Sequence, residues 1–87
     1  MIKVETPDSR QLEVISTWQT WEKEVCEFDW SYTQKEQFYI LEGSAIISAK
    51  PSEQVAIKPG DFVTIEKGVE SRWTITSAIK KHFKFFP

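Results

Sequence analysis

The order of hydrophobic and polar residues along the chain predicts mostly β-structure. One alternating strand is predicted over residues 21–32, in which Cys26 shares the parity of Phe28, Trp30 and Tyr32, so that these three aromatic residues lie on one side. A period of two residues is typical of a strand with one buried face. Residues 36–41 form a further strand that is apolar on both faces at its end, residues 38–41, as expected in the core of a β-sandwich.

Turn-forming residues separate this segment from several further strands. Gly43 ends the apolar run, and the stretches "KPSEQ", "KPGD" and "EKGVE" contain proline or glycine at turn spacing. Between and after them, "AIISA", "VAI", "FVTI", "SRWTIT" and "IKKHFKFF" have strand character. Eight or more short strands predict an antiparallel sandwich or barrel, and their number does not decide between the two.

One short helix is predicted near the N-terminus. Pro7 precedes Asp8 and Ser9, either of which can cap a helix, and Leu12 and Ile15 follow at helical spacing. The segment is expected to end near Thr17.

The length of 87 residues predicts a single domain that spans residues 1–87. So small a domain needs a rich core, and the chain supplies six Phe, four Trp and two Tyr. Assembly into a homodimer would bury more surface and is expected.

The net charge of −2 argues against nucleic acid as a partner. In the basic stretch "KKHFK" and the residue after it, phenylalanines alternate with basic residues, which is typical of a strand and not of a nucleic-acid-binding patch.

Cys26 is the only cysteine, so no disulfide can form within the chain, which is consistent with a reducing compartment. No segment approaches the ~20 apolar residues of a membrane span. The N-terminal residues also contain no apolar stretch of signal-peptide length. A cytoplasmic protein without a membrane partner is expected.

Two motifs give the chain a family resemblance. "EQFYILEG", in which Glu36 precedes Gly43, resembles the second half of the first cupin motif, and "PGDFVTIEKGVESRW" resembles the second motif. With "WEKEVCEFDWSY" and "KKHFKFF", the chain is similar to the short single-domain cupins related to ureidoglycine aminohydrolase and to the ethanolamine-utilisation cupin, within the RmlC-like cupin superfamily. The resemblance implies an all-β fold, a small jelly-roll β-barrel with a short N-terminal helix and a pocket at one end.

The chain departs from this family at the metal ligands. Alignment on Glu36 places Trp30 and Tyr32 where metal-binding cupins have a His-x-His pair, and Ser71 where they have a third histidine. Tryptophan offers no ligand atom, and neutral tyrosine and serine are poor ligands. The resemblance therefore implies a pocket without a metal or other cofactor. A site built from Glu36, His82 and Cys26 has suitable ligand types, but nothing in the sequence shows that they converge.

Glu36 has two interpretations. In the first, it is a carboxylate at the end of a strand that is either exposed to solvent or paired with Arg72 or a lysine. In the second, it faces the pocket, as the cupin position implies. In the pocket, with Trp30 and Tyr32 beside it, it would act as an acid or base or orient a ligand. The predicted ligand-binding residues are Trp30, Tyr32, Glu36, Phe38, Ser71 and Trp73.

His82 is the only histidine, and its direction depends on the parity of the last strand. If residues 80, 82 and 84 face inward, His82 joins Glu36 in the pocket. If residues 81, 83 and 85 face inward, Phe83 and Phe85 enter the core and His82 points away. The sequence is compatible with both arrangements.

Two functions remain in competition. The first is binding of a small sugar-like or planar molecule in an aromatic-lined, metal-free pocket. The second, by family analogy, is a metal-independent isomerase or epimerase in which Glu36 moves a proton together with Tyr32 or His82.

Overall fold

The computed structural model describes residues 1–49 and 52–87 and contains seven β-strands and one α-helix in that part of the chain. The elements are β1 (Ile2–Glu5), α1 (Ser9–Ile15), β2 (Gln19–Lys23), β3 (Cys26–Ser31), β4 (Lys35–Ala49), β5 (Glu53–Ile57), β6 (Phe62–Ile65) and β7 (Glu70–Phe86). The predicted mainly-β fold with a short N-terminal helix is confirmed. Lys50 and Pro51 of the predicted "KPSEQ" turn lie outside the described residues.

Two long strands, β4 and β7, organise the sheet. They pair with each other antiparallel along most of their length, from Lys35 opposite Phe86 to Ala49 opposite Ser71. The short strands add to their outer edges: β2 and β3 pair with successive halves of β7, and β6 and β5 pair with successive halves of β4. Strand β1 extends β6. The described sheet is not closed, so the predicted barrel is not confirmed.

Both long strands were expected to be broken, and this part of the prediction was wrong. Residues 35–49 form one strand that continues through Gly43 with register shifts between residues 40 and 45, which is the pattern of a β-bulge. Gly43 has φ +86°, and a Cβ atom at this position would lie 2.0 Å from the carbonyl oxygen of Ala78. Glycine therefore lets the strand bend against its neighbour without interrupting it.

The continuous alternation predicted for residues 21–32 was also wrong. Strands β2 and β3 are separate elements, and Glu24 and Val25 lie between them. This break shifts the parity of inward-facing residues by one. As a result Trp21 and Phe28 pack against each other, although one has an odd number and the other an even number.

Helix α1 begins after Asp8, which forms a capping box with Gln11. The Asp8 side chain accepts a hydrogen bond from the Gln11 backbone N–H at 2.8 Å, and the Gln11 side chain accepts one from the Asp8 N–H at 3.0 Å. The helix ends at Ile15, its only buried residue and two residues before the predicted end. No helix in residues 1–49 or 52–87 has both the length and the apolar character needed to cross a bilayer.

The core lies between the faces of β4, β6 and β7. Its largest fully buried side chains are Trp73, Phe38, Ile40, Ile47, Ile57, Ile65, Ile75, Ile79 and Val63. Three charged residues are buried in the described part of the chain, and two of them, Glu36 and Lys81, pair with each other beside Phe38 and Trp73; the third is Asp61. The Glu36–Lys81 pair marks the position of the site described next.

Candidate functional site

A pocket of about 480 Å³ opens between strands β2, β3, β4 and β7, a volume typical of small-molecule sites. Most of its walls are aromatic, and its charged groups are two lysines and two carboxylates. The lining residues are Trp21, Lys23, Phe28, Asp29, Trp30, Tyr32, Glu36, Trp73, Lys81, Phe83 and Phe85.

The register of β4 against β7 places Glu36 and Lys81 on one face. Glu36 lies opposite Phe85, Phe38 opposite Phe83, and Ile40 opposite Lys81. Because alternate residues of a strand share a face, Glu36 and Phe38 project on the same side as Lys81 and Phe83. The lysine side chain is long enough to pass over the Phe38 ring and reach the carboxylate.

Glu36 and Lys81 form a buried ion pair. Lys81 Nζ donates to Glu36 Oε2 at 3.0 Å, and the two side chains are only 6% and 4% exposed. Burial lowers the pKa of Lys81 below its usual range, while the charge of Glu36 and the hydrogen bond to it act in the opposite direction. Taking two charges out of water is unfavourable, so such a pair is weak evidence for a purely stabilising role.

Aromatic rings surround the ammonium group of Lys81. Its Nζ lies 4.1 Å from the ring centroid of Phe38, 4.8 Å from those of Trp21 and Trp73, and 6.0 Å from that of Phe83. A cation within ~6 Å of a ring centroid is attracted by the ring's quadrupole. The rings therefore replace part of the hydration that the ammonium loses.

The walls are held by contacts between the rings themselves. Phe28 lies opposite Trp73 in the strand register and stacks on it, with centroids 5.8 Å apart and planes inclined by 14°. Trp73 also contacts Trp21 and Phe38, at centroid distances of 6.5 Å and 5.5 Å. Trp30 stands at the mouth and is 48% exposed. The pocket walls are thus tightly packed around Trp73 and exposed to solvent at Trp30.

Tyr32 follows β3 and is fixed by its backbone. Its N–H donates to the Val69 carbonyl oxygen at 2.9 Å, and its own carbonyl oxygen accepts from the Gly68 N–H at 2.7 Å. Burial, and then the neighbouring charge of Glu36, raise the pKa of Tyr32 well above its usual range, with Trp73 acting in the opposite direction. The phenol therefore stays protonated near neutral pH and can act as a donor.

The indole N–H of Trp73 is buried and has no hydrogen-bond partner of ordinary geometry among the described residues, although Trp73 lies near Tyr32. Buried donors are nearly always satisfied in folded proteins, so an unpaired one in a pocket wall calls for a partner. A water molecule or a ligand acceptor would meet this need.

Four of the six predicted ligand-binding residues line the pocket: Trp30, Tyr32, Glu36 and Trp73. The other two lie outside its lining. Phe38 is fully buried beneath Lys81, and the Ser71 hydroxyl donates to the Trp30 carbonyl oxygen at 2.9 Å. Both interpretations of Glu36 were partly right, because it faces the pocket and is also paired with a lysine. Arg72 instead pairs with Asp29 and Glu27.

His82 requires a correction. Residues 81, 83 and 85 line the pocket, so His82 projects from the opposite face of β7. Its Nδ1–H donates to the Trp18 carbonyl oxygen at 3.0 Å, a contact that ties β7 to the segment after α1. His82 is therefore not brought together with Glu36 and is no candidate acid or base for this pocket.

The residues at the cupin metal position do not suit a metal. The described residues contain no group of three or more His, Cys, Asp or Glu side chains placed to hold an ion. The Lys81 ammonium already neutralises Glu36 and would repel a second cation. The alternative site of Glu36, His82 and Cys26 also fails, because His82 lies on the far face of β7.

Sequence reasoning missed Lys81, and with it Trp21, Phe28, Phe83 and Phe85 as wall residues. The signal for Lys81 was available in the parity of the last strand, where it is in phase with Phe83 and Phe85. A carboxylate expected in an apolar interior also needs a cation nearby. These two arguments together identify Lys81 as the partner.

Comparison with known proteins places the fold in a family. The family model of the EutQ-like cupin domain matches residues 10–83. The chain belongs to the EutQ-like cupins. It is similar to a DUF861 family protein from Thermotoga maritima, with 38% identity over 99% of this chain and 100% of that one, and a TM-score of 0.94. The cupin prediction is confirmed.

More distant EutQ-like cupins share the fold. The Clostridium difficile EutQ protein is 20% identical over 78% of this chain and 53% of its own length, with a TM-score of 0.71. A putative ethanolamine utilization protein Q from Salmonella typhimurium is 18% identical over 99% of this chain and 69% of its own, with the same TM-score. No curated protein matched.

Proposed function

We propose that this EutQ-like cupin binds a small planar or sugar-like molecule in the aromatic pocket, without a metal. The observation that carries the proposal is the Glu36–Lys81 pair, which lies 3.0 Å apart among aromatic walls with an open mouth. A small domain needs neither buried charge for its fold, because an apolar pair of similar volume is often as stable. A buried charged pair that lines an open pocket is better explained by contact with a ligand.

The polar groups in the pocket suit a ligand with both a donor and an acceptor. Lys81 engages Oε2 of Glu36 and has further protons to donate, while Oε1 is left to accept from a ligand hydroxyl or amine. The indole N–H of Trp73 provides another donor. The flat faces of Trp30 and Phe85 at the more exposed part of the wall suit stacking on a ring.

Binding can be measured with the protein's own tryptophans. Three of the four line the pocket, so titration with neutral sugars and with planar heterocycles should change the fluorescence on binding. Trp30→Ala should weaken the ligand found by about 2- to 12-fold, because an aromatic contact contributes ~0.5–1.5 kcal/mol beyond its buried area. Trp18→Phe, which removes an indole outside the pocket, should leave the affinity unchanged.

Backbone amide NMR shifts provide the decisive readout. A ligand of either class should shift the resonances of β3 and the second half of β7 and leave those of α1 in place. If no sugar or heterocycle up to millimolar concentration produces such shifts, the proposal is wrong.

The isomerase or epimerase function is the alternative for the same pocket, and the proximity of Tyr32 to Glu36 favours it over other reactions. The pair would be Tyr32 as donor and Glu36 as acceptor, after Glu36 has been released from Lys81. Glu36→Gln distinguishes the two functions. In a binding site it changes ligand affinity, whereas in an acid–base site it abolishes turnover of a bound substrate while binding survives.

A further inference from the structure

Lys81 has the surroundings of a reactive amine as well as those of a structural cation. It lines the pocket, and its Nζ lies 3.0 Å from the Glu36 carboxylate, a group able to accept its proton. Among the described lysines it is the only buried one. Lys23, the other lysine of the pocket, is exposed and lies over the Phe28 ring.

We propose that Lys81 forms a reversible imine with a small aromatic aldehyde or ketone that enters this pocket. The inference rests on the proposed binding function and names the substrate class for the same site. Aromatic walls on several sides would hold the ring of such a compound and leave its carbonyl carbon facing the amine. Lysines used in this way are commonly desolvated in hydrophobic pockets.

The proton and atom balance closes within the pocket. Glu36 takes one proton from the ammonium of Lys81, and the neutral amine forms a carbon–nitrogen bond to the carbonyl carbon, giving a carbinolamine. A second proton moves from the nitrogen to the former carbonyl oxygen, which becomes the hydroxyl group of the carbinolamine. Glu36 then returns its proton to this hydroxyl group, and the carbon–oxygen bond breaks to release water. The product is a protonated imine, and Glu36 is again a carboxylate.

The charges before and after the reaction favour this product. The protonated imine carries the same single positive charge as the ammonium, so the pairing with Glu36 is kept. The rings of Trp21, Phe38 and Trp73 that surround Nζ attract either cation. Burial lowers the pKa of Lys81, which increases the fraction of neutral amine available for attack. The indole N–H of Trp73 can donate to the departing oxygen.

Reductive trapping tests the imine. The protein is incubated at neutral pH with limiting benzaldehyde and sodium cyanoborohydride, digested, and mapped by mass spectrometry. We expect one benzyl group, placed on Lys81, and several-fold less on every other lysine. Lys81→Arg keeps a cation beside Glu36 but cannot form an imine, so the adduct should disappear. Lys84→Arg, the same change at an exposed position of the same strand, should leave labelling of Lys81 intact.

Benzyl alcohol separates this inference from the proposed function, because it has the same ring but no carbonyl group. It should shift the tryptophan fluorescence and slow the labelling of Lys81. If benzyl alcohol binds but benzaldehyde labels Lys81 no faster than Lys84, the imine is refuted and the binding function stands. If benzyl alcohol does not bind and labelling follows lysine exposure, both are refuted for aromatic ligands. Mapping of the unaltered protein decides the matter even if Lys81→Arg does not fold.

Discussion

The buried Glu36–Lys81 pair leads to the sharpest prediction about stability. Glu36→Leu leaves an ammonium without a counter-charge among Trp21, Phe38 and Trp73, and Lys81→Met leaves a carboxylate in the same position. Removing one partner of a buried pair typically costs about 3–5 kcal/mol, so a loss of about 4 kcal/mol is expected for each variant. Replacing both partners with apolar side chains leaves no unpaired charge in the interior. The double variant is expected within about 1 kcal/mol of the parent protein.

The magnitude for Glu36→Leu follows from the release of a proton by Lys81 when the variant folds. Unpaired Lys81 avoids a buried charge by giving up its proton, whereas in the unfolded chain a lysine has a pKa of about 10.4. At pH 7 this limits the cost to roughly 4–5 kcal/mol, or about 1.4 kcal/mol for each pH unit. The unfolded chain then binds more protons than the folded one, so the stability of the variant rises with pH relative to the parent. Between pH 7 and pH 9, roughly 3 kcal/mol should be regained.

Lys81→Met should show the opposite trend. Its unpaired Glu36 is relieved by taking up a proton in the folded state, so the folded chain binds more protons than the unfolded one. Stability relative to the parent then falls as the pH rises and recovers towards acid pH. Opposite pH slopes in two variants of one pair are hard to explain by a general loss of packing.

The assay is urea unfolding of the parent, the two single variants and the double variant at several pH values, followed by tryptophan fluorescence. For a domain of this size each 1 kcal/mol also moves the melting temperature by about 4–8 °C. Asp29→Asn is the control, because its pair with Arg72 at 3.0 Å is exposed and should be worth no more than about 1 kcal/mol. The reasoning fails if Glu36→Leu costs less than about 1 kcal/mol or shows no pH dependence.

Three further predictions concern the bulge, the tyrosine and the assembly. Gly43→Ala should destabilise the fold by more than Gly60→Ala in thermal unfolding, because φ is positive at both positions but only at Gly43 would the Cβ also meet the Ala78 carbonyl oxygen. In an alkaline ultraviolet titration, Tyr32 should ionise only when the protein unfolds, since burial raises its pKa, and ionisation of both tyrosines in the folded state would contradict this. The expected homodimer stays a prediction, and light scattering after size-exclusion chromatography would show a monomer mass if it is wrong.

Fold class was accessible from the sequence because it depends on local signals. Alternation, the Pro-Gly turns and the cap at Asp8 each act over a few residues, and they identified most strands and the helix. The two long strands were not accessible in this way. Gly43 appears in the sequence as a strand break, and only its packing against Ala78 shows that the chain bends there while pairing continues.

The site was accessible only in part, because it depends on partners that are distant in sequence. The cupin motif located Glu36, but its partner Lys81 lies 45 residues away. Trp21 was missed because the break between β2 and β3 reverses the parity on which the prediction relied. Conversely, Phe38 and Ser71 have inward parity but do not line the pocket. Lys81 lies over the Phe38 ring, and the Ser71 hydroxyl is bonded to the Trp30 carbonyl oxygen. Parity gives the face of a strand, whereas the access of solvent to that face depends on the tertiary structure.

The pairing of Glu36 with Lys81 explains how a cupin pocket can keep its carboxylate after losing its metal ligands. In the family pattern that carboxylate is accompanied by histidines, and here those positions carry Trp30, Tyr32 and Ser71. A lone carboxylate in an aromatic interior would be strongly unfavourable. An ammonium group from β7 supplies the missing positive charge at 3.0 Å, and the rings of Trp21, Phe38 and Trp73 present their faces to this cation. The replacement also changes the available chemistry, since a lysine amine can donate, accept and bond covalently where a metal ion would polarise. Under the proposed function, compounds that an amine recognises are therefore the first to test.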